Sequence, residues 1–108
     1  MDRDMAGGSA GPFGAVDAKL NIFALANGLD LKREAAARQL EWHRDRLERG
    51  IRLDLSDVGT YTVSAMAWNH GDPSSVRKEV RYAGLDANQV AADLSAILQT
   101  TLDAANAL

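Results

Sequence analysis

Few residues in this chain are equipped for chemistry. Histidine occurs twice, as His43 and His70, and cysteine does not occur. His43 sits in EWHRD, with Glu41 and Asp45 two residues away on either side. On a helix those carboxylates lie on other faces, so a metal site there would need ligands from elsewhere, and His43 reads as a packed or interface histidine. His70 lies in a turn beside Asp72, a pairing too local and too exposed to tune a general base, and it reads as a solvated turn residue. The sequence has no phosphate-binding glycine loop, no dinucleotide fingerprint, no G-x-S-x-G and no H-E-x-x-H. Without cysteine it has no disulfide and no thiolate nucleophile or ligand. These observations point away from an enzyme and imply no metal and no cofactor.

The cations offer a different chemistry. The formal net charge is −3 and the isoelectric point about 5.2, which disfavours indiscriminate binding to phosphates by the chain as a whole. The bases are nevertheless clustered. Lys32, Arg33, Arg38, Arg44, Arg46, Arg49 and Arg52 outnumber the acids around them, and Arg77, Lys78 and Arg81 surround the lone Glu79. The last segment carries Asp86, Asp93 and Asp103 and no base. Arg38, Arg44, Arg46, Arg49, Arg52, Arg77, Lys78 and Arg81 are therefore the candidate nucleic-acid contacts. The alternative is a solvated face laced with Glu–Arg pairs. Trp42, Met66 and Trp68 are the candidate interface residues, since Trp and Met are enriched where proteins meet. Trp68 could equally fold over a hairpin end to cover the core.

The elements that must position these residues follow from the pattern. A chain of 108 residues, 46% hydrophobic and 25% charged, makes one soluble domain with a modest core, whose surplus apolar surface is most readily hidden by a second copy. Residues 1 to 14 are rich in glycine and read as a disordered tail with Phe13 as its one anchor, and residues 15 to 108 as the domain. No stretch has the length of a membrane span or the shape of a signal peptide, and a cytoplasmic protein is expected. Val16, Leu20, Phe23 and Ala24, with Leu25, mark a first helix stopped at Asn27-Gly28. Asp30 as N-cap, strong helix formers through REAAARQLEWHRDRLERG, and Gly50 as C′ residue predict a second helix, with Ala36, Leu40, His43 and Leu47 inward.

IRLDL alternates as a strand. Thr60 to Trp68 alternates again, with Tyr61, Val63, Ala65 and Ala67 facing the core and Thr62, Ser64, Met66 and Trp68 facing away. Val76 to Tyr82 is a third strand, with Lys78 on its apolar side suggesting an edge. Asp86 and Gln89 form a capping box ahead of the stripe Val90, Leu94, Ile97, Leu98, Thr101, Leu102 and Ala105. The predicted fold is α+β, a three-stranded antiparallel meander packed against helices in the order α-α-β-β-β-α.

The stretches RQLEWHRDRLERG, IRLDL, GTYTVSAMAW, SVRKEVRYAGL and DANQVAADLSAILQTTLDAANAL together resemble the YbaB/EbfC family of small bacterial nucleoid-associated proteins. The resemblance spans about residues 31 to 105. It implies a homodimer that binds DNA with little sequence preference. The chain departs from that pattern in its extra first helix and tail and in a longer loop between the second and third strands. The alanine-rich first helix and the D-x-x-x-V start at Asp86 to Val90 also resemble head-to-tail joining proteins of tailed phages. A third class keeps the same surfaces for a protein partner, as in an adaptor, a secretion chaperone or an immunity-type protein.

Overall fold

The computed structural model describes residues 13–108. Helix α1 (Gly14–Asn27) is followed by five strands, β1 (Asp30–Glu34), β2 (Ala37–Arg44), β3 (Leu47–Leu55), β4 (Tyr61–Asn69) and β5 (Asp72–Leu85), and by helix α2 (Ala87–Asn106). The strands form one antiparallel meander in the order β1-β2-β3-β4-β5. Both helices lie on the same side of it, and the other side has no covering element among the described residues. The tail expected at the N-terminus lies outside the described residues up to position 12. Phe13 itself is buried, edge-on to Tyr61 with ring centroids 5.7 Å apart.

Period-two alternation builds the sheet. Leu40, Ile51, Leu53, Tyr61, Val63, Ala65 and Ala67 point to the helix side and are buried. They meet Val16, Leu20 and Ala24 from α1 and Val90, Leu94, Ile97 and Leu98 from α2. Gly28, at φ 69°, closes α1 in the left-handed conformation that glycine adopts at no steric cost. Leu25 is turned away from the core and 84% exposed. Asp86 caps α2 by accepting from the Gln89 backbone, and the Gln89 side chain returns the bond to the Asp86 backbone. Helix α2 bends at Asp93, where the nearby Ala91 carbonyl accepts from Lys19 of α1 at 2.9 Å.

The expected layout with three strands and a second helix is wrong. Residues 30–50 are strand β1, strand β2 and the start of β3. Asp30 is not an N-cap and Gly50 is not a helix terminus. The helix-former composition misled because propensity differences amount to only about 0.7 kcal/mol per ordinary residue. Burying one Leu-sized side chain contributes about 1.5–3 kcal/mol, and as strands this stretch seals Leu40 completely and pairs it with Ile51 of β3. Two tight turns cut it. Ala35-Ala36 joins β1 to β2, and Asp45-Arg46 joins β2 to β3 with φ of 53° and 69°. Positive φ at both central residues is the signature of a type I′ hairpin. Ala36 and His43, expected inward, are exposed. The third predicted strand is part of the longer β5, where a register shift between Val63 and Ser64 moves Tyr82 to the helix side. No helix of the described residues is long and apolar enough to cross a membrane.

Candidate functional site

The uncovered side of the sheet carries the most informative side chains. From β4 it presents Thr62, Ser64, Met66 and Trp68, and from β5 Val76, Lys78 and Val80. Met66 and Trp68 are half-buried, although no helix among the described residues lies over them. The six-membered ring of Trp68 packs against Gly50 of β3, where an added Cβ would come within 3.3 Å of the ring and of the Leu40 carbonyl. A bare glycine backbone thus gives the indole its close approach to the sheet. Met66, Trp68, Pro73, Val76 and Gln39 line a shallow apolar recess. Val76 and Val80 are 43% and 55% exposed beside it. Ser64 is fully buried on this same side, and its hydroxyl has no hydrogen-bond partner among the described residues.

Polar clusters frame the apolar recess. At one end the hairpin pairing sets His43 opposite Glu48, and Glu48 opposite Trp68. Glu48 Oε2 meets His43 Nδ1 at 2.6 Å and His70 Nδ1 at 3.3 Å. The hydrogen bond from His43 holds the Glu48 carboxyl below its ordinary value of 4.5. At the other end Arg52 is a hub that donates to Glu34, Gln39 and Asp54. That bond from Arg52 lowers the pKa of Glu34 and raises that of Arg52 in return. Lys78 reaches over β4 to Asp54, at 3.8 Å. The face as a whole leans acidic: Asp30, Glu34, Glu41, Glu48 and Asp54 stand against Lys32, Arg52 and Lys78.

The other predicted contacts are scattered. Arg38, on the helix side, lies 4.2 Å over the Phe13 ring and donates to Asp17 at 2.9 Å. Arg49 is buried, and its guanidinium donates to the carbonyls of Arg44, Ala105 and Leu108, so its charge closes the C-terminal end of α2. Arg44 and Arg46 stand exposed at the β2–β3 turn, with Arg44 3.5 Å from Asp45. Arg77 and Arg81 belong to the helix side of β5, and Arg81 pairs with Glu79 at 3.0 Å. Arg52 and Lys78 alone of the eight candidates lie on the open face.

The interface candidates divide too. Met66 and Trp68 lie together in the recess. Trp42 is on the opposite side of the sheet, where its indole N–H donates to Asn106 of α2 at 2.9 Å. Sequence reasoning missed the Glu48 pairing with both histidines. No local signal marks it, because Asp45-Arg46 lacks the Asn-Gly or Asp-Gly signature of a type I′ turn, and it is that turn which places residue 43 across from residue 48. No group of three His, Cys, Asp or Glu among the described residues could hold a metal ion. Comparison of the chain with protein-family models, with curated proteins and with solved structures finds no match.

Proposed function

We propose that this chain is a non-catalytic binding protein whose working surface is the open face of its sheet. The partner is a protein segment that sets an apolar side chain against Met66, Trp68, Pro73 and Val76 and a basic one toward Glu41 and Glu48. The observation that carries this reading is an indole and a thioether left together on a sheet face that no helix among the described residues covers. The acidic balance of that face supplies the charge preference. It also weighs against phosphate there, as does the engagement of Arg52 by Glu34, Gln39 and Asp54. Adaptor- and chaperone-type proteins work through such surfaces.

The test compares three forms of the tagged chain in extracts of its own cells: the wild type, Met66→Lys with Val76→Lys, and Arg44→Glu with Arg46→Glu. A stoichiometric partner kept by the wild type and the arginine variant, and lost by the face variant, is the expected result. A labelled duplex is the second arm. A mobility shift that weakens steeply with salt and disappears in the arginine variant would replace this reading with the DNA binding implied by the YbaB/EbfC resemblance.

A further inference from the structure

Among the described residues, strand β5 is the long free edge of the sheet. It runs Asp72–Leu85 with nearly every residue exposed, whereas the opposite edge, β1, is only Asp30–Glu34. An edge strand presents unpaired backbone donors and acceptors and is a template for another strand. Charges on such an edge normally discourage pairing, and β5 carries Arg77, Lys78, Glu79 and Arg81. Their order, however, suits one partner in one register.

We propose that β5 pairs antiparallel with β5 of a second copy about a two-fold axis at Lys78, joining two sheets edge to edge. Residues directly opposite each other must share a sheet face, so only axes centred on a residue are allowed. With the axis at Lys78, Arg77 falls opposite the second copy's Glu79, and Glu79 opposite its Arg77, giving two ion pairs on the helix side. On the open side Val76 meets Val80 twice. Arg77 to Val80 form the stretch of β5 that pairs without interruption against β4, from Arg77 opposite Ala67 to Val80 opposite Ser64, and Val76 lies just beyond it, where the register shifts. Moving the axis to Arg77 or Glu79 sets like charges together and separates the valines. The one adverse pair in the chosen register is Lys78 with itself, and Lys78 already leans away from the edge toward Asp54.

The pairing places both Met66–Trp68 recesses on one continuous ten-stranded face. Val76 serves both this pairing and the protein-partner reading, but neither requires the other, because a monomer could still hold a partner and a dimer could hold none.

The test is sedimentation of the full chain across concentration, with circular dichroism as the folding control. The wild type should approach twice its 11.6 kDa mass. Arg77→Glu and Glu79→Arg should each weaken self-association about tenfold or more, because each turns both ion pairs into repulsions. An equimolar mixture of the two variants should recover the dimer, since each then supplies the charge the other lacks. A wild type that stays monomeric throughout would overturn the proposal. So would single variants that dimerise as well as the wild type, or a mixture that associates no better than its components.

Discussion

Glu48 ties together two strands and one turn, which makes its ionisation an observable. Its side chain is 22% exposed and sits against His43 on β2 and His70 beyond β4. A carboxyl whose pKa is lower in the folded chain adds stability only where it is ionised. The contribution is therefore complete above the ordinary value of 4.5 and is lost as pH falls through the lowered value. Glu48→Gln should lower the midpoint of thermal unfolding by a few degrees near pH 6. The difference should close as the pH falls through that lowered value, where Glu48 becomes neutral like the glutamine. A gap that persists unchanged into acid would show that the charge at Glu48 does not matter.

The hairpins are the elements that decide this fold, and the β2–β3 turn is the sharpest case. Asp45 and Arg46 both sit at positive φ, a conformation that costs a non-glycine residue about 1–2 kcal/mol. Arg46→Gly relieves that strain and should stabilise the chain by about 0.5–1 kcal/mol, as read from the urea midpoint. In a helix the same change would cost about 1 kcal/mol, so its sign distinguishes a turn from a helix at this point. A fall in stability would reinstate helix through Asp45.

The physical reasons for what the sequence disclosed are visible in the same elements. The Asn27-Gly28 stop, the Asp86–Gln89 capping box and the alternation of Ile51 to Leu55 and Tyr61 to Ala67 are local signals, and the fold keeps them. Residues 30–50 carry helical composition, and their strand character comes from tertiary pairing with β3 and β4. Leu31, Leu40, Trp42, Leu47 and Arg49 do alternate through the turns, but an arginine buried at Arg49 breaks the apolar rhythm a reader would look for. Met66 and Trp68 stood out because their register opposes the core. Trp42 cannot join them, since β2 turns it toward α2.

At the level of the molecule, a sheet roofed on one side explains why apolar groups gather on the other. Helices α1 and α2 satisfy the core with Leu20, Leu94 and Leu98 on their side, and nothing in the described chain performs that task for Met66, Trp68, Val76 and Val80. The decisive measurement is hydroxyl-radical footprinting of the free chain and of the chain in the complex isolated from its cells, with oxidation read by mass spectrometry. Met66 and Trp68 should be labelled readily when free and protected severalfold in the complex, while Trp42 changes little. Equal labelling of Met66 and Trp68 in both states would contradict a working surface on the open face.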